Sequence, residues 1–232
     1  WCPEKPGEAY YAMIKPLIPF PIAGVIWYQG ESNTETADSY DILLTTLIRS
    51  WRDEWGVDFP FYYVQIAPYK YGAPEIGVKL REAQRKSLTV PNTGMVVVSD
   101  IGNINDIHPR NKKDVGIRLA NWALAKTYGV QGVPYSGPLY RDMKIERNKI
   151  RLFFDHAESG LVCRGDELTH FEIAGENGNF VTAEAKIDGQ TVLVQSRSVN
   201  KPVAVRFAWD NIAEPNLFNG DGLPASCFRT DD

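Results

Sequence analysis

Two polar clusters in the sequence contain the residues best suited to chemistry. Gln29-Gly-Glu-Ser-Asn33 directly follows a short apolar run, and DIGNINDIHPRNK occupies residues 100–112. In the second cluster, His108 follows Asp106 by two residues and Asp100 by eight. An imidazole whose tautomer is fixed by a carboxylate is the general base that activates a hydroxyl nucleophile. A loop histidine that helps to cap the next helix fits the same sequence, so both interpretations stay open.

Ser32 is the candidate nucleophile of the first cluster. Gly30-Glu-Ser-Asn-Thr34 is similar to the Gly-x-Ser-x-Gly nucleophile elbow, but Thr34 stands where the elbow has its second glycine. Threonine does not tolerate the strained backbone of that turn as glycine does. We therefore expect Ser32, Asn33 and Thr34 to cap a helix.

The first cluster also offers groups that stabilise an oxyanion. The Gly30 amide and the side-chain amide of Gln29 or Asn33 are neutral donors of the kind that meets a developing negative charge. Glu31 would then orient these donors or bind substrate hydroxyls.

A metal site is the alternative use of the two clusters. It would draw its ligands from Glu31, Asp100, Asp106 and His108. Neither His-Glu-x-x-His nor any paired-histidine spacing is present in the sequence, and isolated oxygen ligands at loop ends are common by chance. We therefore expect no metal and no cofactor.

Alternating strand and helix signals in the first half position these clusters. Three strand, loop and helix units in succession predict a parallel sheet that is covered on both faces, an α/β fold. Both polar clusters follow strands, at the edge where such sheets bind ligands. The predicted strands are residues 22–28, 60–67 and 94–99. The predicted helices run from Tyr40 to Trp55 before Gly56, through Leu80 and Leu88, and through Val115 and Ala123 up to Gly129.

The second half of the chain has a different pattern. Its β-rich segments are separated by Asn-Lys, Asn-Gly and Asp-Gly turns, which predict an antiparallel sandwich. We therefore expect an α/β portion over residues 1–135 and a β-rich accessory region over residues 136–232. His156 and His170 lie in the second region without a polar setting like that of His108, so we expect them to be structural.

Composition narrows the classes of partner. The net charge of −4 and pI near 5.5 argue against a nucleic-acid partner, which usually requires a concentrated basic face. No apolar run approaches the roughly 20 residues of a membrane-spanning helix, so no membrane partner is expected. The three cysteines are too widely spaced for a metal cluster and allow one disulfide plus a free thiol.

Several segments together resemble the sialate O-acetylesterase family of SGNH-type hydrolases, in order and over nearly the whole chain. They are YYAMIKPLIPFPIAGVIWYQGESNT (10–34), WRDEWG (51–56), FPFYYVQIAPY (59–69), LREAQ (80–84), NTGMVVVSDIGNINDIHPRNKKDVGIRLANWAL (92–124) and GLPASCFRT (222–230). The resemblance implies a serine esterase that removes acetyl groups from sugar hydroxyls without a cofactor. It also implies a three-layer α/β/α sandwich with accessory β structure and a periplasmic or secreted location. Acetylated sialic acid and acetylated plant or bacterial glycans are both compatible substrates.

The same resemblance assigns roles to individual residues. His108 matches the family's catalytic histidine, and its acidic partner lies just upstream in the same loop. Many SGNH hydrolases place that acid three residues before the histidine, where this chain has Asn105. Asp106 is therefore the first choice and Asp100 the second. The oxyanion and substrate loop is similar to Gln29-Gly-Glu-Ser-Asn33.

The family's nucleophile lies in a Gly-Gln-Ser-Asn motif upstream of Trp-Tyr-Gln-Gly-Glu-Ser-Asn, and no such motif occurs in these 232 residues. We therefore expect the attacking serine on a missing N-terminal segment, whose absence leaves a sheet edge exposed and the isolated chain with little esterase activity. A non-catalytic carbohydrate-binding module that uses the aromatic side chains of the β-rich region is the alternative function. Metal-assisted hydrolysis is the other.

Overall fold

The first half of the chain forms a three-stranded parallel sheet. The computed structural model describes residue 5 and residues 7–231. Strands β1 (Val25–Trp27), β2 (Phe61–Val64) and β3 (Thr93–Val96) lie in the order β1-β2-β3, and both pairs are parallel. Each strand is shorter than its predicted apolar run. After β3, residues 97–99 are no longer paired in the sheet but are still buried. The apolar run therefore extends past the end of the strand.

Helices connect these strands at the predicted positions. They are α1 (Tyr40–Trp55), α2 (Ile76–Lys86) and α3 (Lys112–Trp122). Short 3₁₀ helices span Lys15–Leu17, Glu31–Ser39 and Ser87–Thr89, and π-helical turns span Tyr10–Ile14 and Ala123–Thr127. Gly56 ends α1 as predicted, with a left-handed backbone (φ 64°) whose N–H donates to the carbonyls of Arg52 and Asp53. No helix in the part of the chain that the structure describes is long and apolar enough to cross a membrane.

Strands β2 and β3 of the sheet are covered on both faces, which confirms the three-layer α/β/α prediction. β2 is buried throughout because its alternate side chains face two different helical layers. Phe61 and Tyr63 pack with α1 and α2, whereas Tyr62 and Val64 pack with α3. Trp122 of α3 lies directly over Gly94 of β3, so that a Cβ added to Gly94 would come within 2.5 Å of the indole ring.

One edge of this sheet has no partner strand among the residues described. β1 pairs only with β2, and Ile26 in its centre is 69% exposed. Tyr62, the register partner of Ile26 on β2, is 3% exposed because α3 covers it. The covering layer therefore stops before it reaches β1.

The second half forms the predicted antiparallel sandwich. Its strands are β4 (Leu139–Glu146), β5 (Lys149–Asp155), β6 (Leu161–Cys163), β7 (Phe171–Gly175), β8 (Val181–Thr182), β9 (Glu184–Asp188), β10 (Thr191–Gln195), β11 (Pro202–Phe207), β12 (Leu217–Asn219) and β13 (Phe228–Arg229). Two four-stranded sheets, in the orders β4-β5-β10-β9 and β13-β11-β7-β8, share one hydrophobic core, and a two-stranded sheet pairs β12 with β6. The first hairpin turns at residues 147–148, one residue before the predicted Asn-Lys pair. The predicted boundary between the α/β portion and the β-rich region, after residue 135, lies in the segment between the helical turn that ends at residue 127 and the start of β4. The division into two regions at this position stays a prediction.

Buried polar contacts join the two halves. The Gln65 amide, at the end of β2, donates to the Arg81 carbonyl and to Ser226 Oγ, both at 2.9 Å. Asn211 accepts from the Gly77 N–H at 2.9 Å and donates to the Ala73 carbonyl at 2.7 Å. The sandwich is therefore hydrogen-bonded to α2 and to the loop that precedes it.

The cysteines do not form the one bridge that the described residues would allow. Cys163 and Cys227 are both free thiols, and Cys2 lies outside the described residues. Burial raises the pKa of the Cys227 thiol to about 11, so this side chain stays neutral and unreactive in the core.

The close approach of Trp122 to β3 yields a stability prediction. We expect Gly94→Ala to lower the free energy of unfolding by about 2 kcal/mol, because the new methyl group must displace the indole ring. Gly116→Ala on α3 is the matched control, since an added Cβ there meets nothing within 4 Å and gains about 1 kcal/mol of helix propensity. Thermal unfolding of both variants measures the difference. Equal melting temperatures would show that the sheet and α3 are less tightly packed than described.

Candidate functional site

Three loops meet over the carboxyl edge of the parallel sheet. They follow β1, β2 and β3 and contain the two predicted polar clusters. The loops after β2 and β3 are joined by a hydrogen bond from the Lys70 N–H to the Ile104 carbonyl at 3.0 Å. The loop after β1 meets the start of α3, at the end of the second polar cluster, where the Lys112 ammonium group lies 4.4 Å from the centre of the Tyr28 ring. The two polar clusters therefore border the same edge.

A buried amide network holds the turn that begins at Gln29. The Gln84 side chain donates to the carbonyls of Val64 and Gln29, at 3.1 and 3.3 Å, and accepts from the Ile66 N–H at 2.9 Å. The Tyr40 hydroxyl donates to the Gln29 carbonyl at 2.9 Å. One side chain thus ties the ends of β1 and β2 together.

Gly30 sits in the tightest part of this turn. A Cβ at this position would lie 2.8 Å from Leu80 and 2.9 Å from Ile66, so only glycine fits. The Gly30 carbonyl accepts from the Asn33 N–H at 2.8 Å. The side chain of Gln29 donates to Asn33 Oδ1 at 2.7 Å. Asn33 therefore uses its amide oxygen inside the turn, and its amide nitrogen is the group that can donate to a ligand.

The prediction that Ser32, Asn33 and Thr34 cap a helix was wrong. These residues lie inside the 3₁₀ helix Glu31–Ser39, which precedes α1, and neither helix start has a side-chain cap. Thr34 donates its hydroxyl to the Glu31 carbonyl at 3.2 Å instead. Ser32 is exposed on this helix.

His108 is exposed in the loop before α3. The Asp106 carboxylate accepts from the His108 backbone N–H at 2.9 Å, which fixes the turn that presents the imidazole. Asn111, rather than His108, caps α3, because its side chain accepts from the Asp114 N–H at 3.2 Å. The structure therefore does not support the alternative in which His108 caps the helix.

Asp100 is committed to a different contact. Its two carboxylate oxygens accept from the Arg118 guanidinium, each at 2.7 Å, and the side chain of Asp100 is only 11% exposed. Arg118 also donates to the Val97 carbonyl at 2.6 Å. This pair fastens α3 to the end of β3. Asp106 differs, because among the described residues only one of its oxygens accepts a hydrogen bond, which comes from the His108 backbone N–H.

Sequence reasoning did not identify Arg118 or Gln84. Arg118 lies three residues after Val115 and four before Trp122, so it falls within the buried stripe of α3. A charged residue in such a stripe indicates a buried partner. Gln84 is likewise a polar residue on the buried side of a helix, because it follows the buried Ala83 on α2.

Two tyrosines near Glu31 have raised pKa values. Burial, and then the charge of Glu31, raise the pKa of Tyr28 to about 12. The same two causes, in the same order, raise the pKa of Tyr71 above its ordinary value. The hydroxyl oxygens of both rings are buried and make no hydrogen bond in the structure. Glu31, Tyr28 and Tyr71 therefore lie close enough to influence one another.

Two cavities lie outside the two polar clusters. Within residue 5 and residues 7–231, no group of three or more His, Cys, Asp and Glu side chains is arranged to hold a metal ion. A cavity of about 510 Å³ lies at the end of α1, lined by Arg49, Arg52, Asp53, Gly56, Val57, Asp58, Val90 and Pro91. A second, of about 280 Å³, lies between α2 and the sandwich, lined by Ala37, Asp38, Asp41, Lys79, Glu82, Ala83, Lys86, Trp209 and Arg229. Neither contains a predicted site residue.

Comparisons with known proteins agree with the fold. A crystal structure titled "XAC1771, a novel carbohydrate acetylesterase from Xanthomonas citri" superimposes with a TM-score of 0.91 at 45% identity, over 96% of this chain and 53% of that one. Sialate O-acetylesterase of Mus musculus is 30% identical over 237 residues, covering 89% of this chain and 43% of that protein. The Homo sapiens protein of the same name is 31% identical over 168 residues, covering 63% of this chain and 32% of that protein. This chain thus spans about half the length, or less, of these relatives.

A family model confirms the relationship independently. The model described as "Carbohydrate esterase, sialic acid-specific acetylesterase" matches residues 1–125, which include both polar clusters. The matched residues also contain the whole parallel sheet and its three helices. The chain therefore belongs to the sialic acid-specific acetylesterase family of carbohydrate esterases.

Proposed function

We propose that this chain supplies the general base and the oxyanion donors of a serine-type carbohydrate O-acetylesterase. The observation that carries the proposal is that the loops containing His108 and Gln29–Asn33 border one edge of the sheet in a member of this family. The carboxyl edge of a parallel sheet is where such folds bind ligands. The substrate is an acetylated sugar, either a sialic acid or another glycan, and we propose a periplasmic or secreted location from the family resemblance.

The proposed reaction is acyl transfer to water in two steps. A serine hydroxyl attacks the acetyl carbonyl while His108 takes its proton, and the resulting oxyanion is stabilised by the amides of Gln29, Gly30 and Asn33. His108 then gives that proton to the sugar oxygen as the ester bond breaks. A water molecule, deprotonated by His108, then attacks the acyl carbonyl, and His108 returns the proton to the serine oxygen as the acyl–serine bond breaks and acetate leaves. Asp106 orients the imidazole through these steps.

We propose that the serine comes from a segment outside these residues rather than from Ser32. The sequence holds no Gly-Gln-Ser-Asn motif, and Ser32 lies in the 3₁₀ helix Glu31–Ser39, between the proposed oxyanion donors Gly30 and Asn33. The unpaired edge of β1 and the exposed side chain of Ile26 suit a further parallel strand with a covering layer. A strand at that edge would end beside the turn that starts at Gln29, because parallel strands end at the same sheet edge.

The positions of the aromatic residues in the sandwich support a role in core packing rather than in glycan binding. Phe154, Phe171, Phe207 and Phe228 are all buried in the shared core. Phe228 contacts three other rings, with centroid distances of 4.6 Å to Tyr140, 5.9 Å to Phe154 and 5.6 Å to Phe207. These contacts give the aromatic content of the sandwich a structural role.

The two acidic candidates can be separated by mutation in the enzyme that includes the nucleophile. We expect Asp106→Asn to lower kcat on an acetylated sugar by about 10²-fold or more while the melting temperature hardly changes. Asp100→Asn leaves the Arg118 guanidinium without its partner in a mostly buried position, so we expect it to lower the free energy of unfolding by about 3 kcal/mol. His108→Ala should abolish measurable turnover. If Asp106→Asn keeps a normal kcat while Asp100→Asn folds but loses kcat, the acidic partner of His108 is Asp100.

The origin of the nucleophile can be tested with two forms of the protein. We expect the 232-residue chain alone to show little turnover of p-nitrophenyl acetate or an acetylated sugar, and an N-terminally extended form to hydrolyse both. Ser32→Ala in the extended form tests the rival assignment and should keep kcat within a few-fold of the parent. Full turnover by the short chain, abolished by Ser32→Ala, would contradict the proposal and make Ser32 the nucleophile.

A further inference from the structure

Three side chains form a hydrogen-bonded chain beneath the turn that carries the candidate oxyanion donors. The Tyr40 hydroxyl lies 2.9 Å from the Gln29 carbonyl oxygen and 3.1 Å from Gln29 Oε1, and both oxygens accept from it. Gln29 Nε2 then donates to Asn33 Oδ1 at 2.7 Å. Tyr40 is only 3% exposed, whereas Gln29 and Asn33 are half-buried. The chain of bonds therefore runs from the core to a side chain that a ligand can reach.

The orientation of the Asn33 amide follows from this chain of bonds. A side-chain amide has an oxygen that only accepts and a nitrogen that only donates. If the Asn33 amide were turned by 180°, its nitrogen would face the Gln29 nitrogen, and two donors would oppose each other. Gln29 therefore keeps the Asn33 oxygen on its own side and leaves the Asn33 nitrogen for a ligand. Tyr40 acts one step earlier, because the two Gln29 oxygens share its hydroxyl proton and Gln29 Oε1 thus stays beside Tyr40.

The backbone of the turn is held independently of the Gln29 side chain. The Gln84 amide donates to the carbonyls of Val64 and Gln29, at 3.1 and 3.3 Å. Gly30 packs so closely against Leu80 that an added Cβ would lie 2.8 Å from it. A substitution that removes only the side-chain amide of Gln29 leaves these contacts in place. The effect of that amide on Asn33 can therefore be measured separately from the position of the turn.

We propose that the side chain of Gln29 is a positioning group that acts on the acyl oxygen through Asn33, and that Tyr40 keeps Gln29 in the required orientation. This inference rests on the proposed function, in which the Asn33 amide is one of the oxyanion donors. An amide that is already held with its nitrogen available does not have to rotate during the reaction. Such preorganisation stabilises the transition state more than it strengthens substrate binding. Without Gln29, the Asn33 amide can also turn its oxygen toward the developing negative charge.

A double-mutant cycle in the N-terminally extended enzyme separates action through Asn33 from direct action on the acyl oxygen. Gln29→Met keeps the length of the side chain but removes its amide. We expect it to lower kcat on an acetylated sugar about tenfold, with KM within about twofold of the parent. Asn33→Ala should itself lower kcat about 10²-fold, as the loss of one oxyanion donor does. In the Asn33→Ala background, Gln29→Met should change kcat by less than about twofold.

A second cycle tests Tyr40 against a matched tyrosine. Tyr40→Phe should lower kcat by several-fold in the parent and leave it unchanged in the Asn33→Ala background. Tyr62→Phe is the control, because Tyr62 is also 3% exposed and its hydroxyl bonds to Thr127 Oγ1 at 2.8 Å, on the opposite face of the sheet. Since both variants lose a hydroxyl hydrogen bond, we expect similar decreases in melting temperature. Only Tyr40→Phe should change kcat.

Side-chain amide exchange, followed by NMR in the 232-residue chain, tests the orientation without turnover. One Gln29 side-chain amide proton is hydrogen-bonded to Asn33. We expect it to exchange with solvent about tenfold more slowly than the Asn33 side-chain protons. This protection should fall in Tyr40→Phe and persist in Tyr62→Phe.

Several outcomes would overturn the proposal. An equal loss of kcat from Gln29→Met in both backgrounds would make Gln29 a direct oxyanion donor, and slow exchange of the Asn33 protons instead of the Gln29 proton would reverse the orientation. An equal loss of kcat in Tyr62→Phe and Tyr40→Phe would show general loosening of the fold. Normal hydrolysis with unchanged kcat in Gln29→Met would exclude only the positioning role. A protected Gln29 amide in an extended protein that hydrolyses no acetylated sugar would contradict the esterase assignment and leave the orientation intact.

Discussion

The side-chain amide of Gln84 fixes the geometry on which the candidate site depends. It is completely buried and bonds to backbone groups at the ends of both β1 and β2. Parallel strands lose their mutual hydrogen bonds where they separate, and those backbone groups need other partners. Because one rigid amide supplies several of them, the turn at Gln29 keeps a fixed position relative to β2. The close packing of Gly30 against Ile66 and Leu80 then sets how near this turn lies to the core.

The histidine loop is fixed by a different means. Its own carboxylate, Asp106, bonds to the backbone N–H of His108, and Asn111 caps α3 directly after it. These are local bonds, and the imidazole is exposed at the tip. The turn that carries the proposed oxyanion donors is therefore held by tertiary packing, while the loop that carries the proposed general base is held by local bonds. In the proposed esterase, rigid donors would define where the acyl oxygen lies.

The parts of this molecule that follow local rules could be predicted from sequence. The periodicity of α1 and its stop at Gly56 are confirmed, as are the parallel sheet and the sandwich. The capping prediction for Ser32 failed because the turn winds on as a 3₁₀ helix through residue 39 before α1 begins. The positions of Gln84 and Arg118 in buried helical stripes indicate that each has a buried partner. Those partners are distant in sequence, so no local pattern identifies them. The buried hydroxyls of Tyr28 and Tyr71, which make no hydrogen bond, can be recognised only from the structure, because burial cannot be read from the sequence.

We propose Asp106 rather than Asp100 as the acidic partner because the two carboxylates have different contacts. A carboxylate that orients a catalytic imidazole must keep one oxygen directed at the ring and carry enough free charge to stabilise its protonated form. Asp100 gives both oxygens to the Arg118 guanidinium, whose positive charge offsets its own. That pair fastens α3 to the end of β3 and so places the loop between them. Asp100 thus positions the loop in which Asp106 can act, and one carboxylate could not serve both purposes.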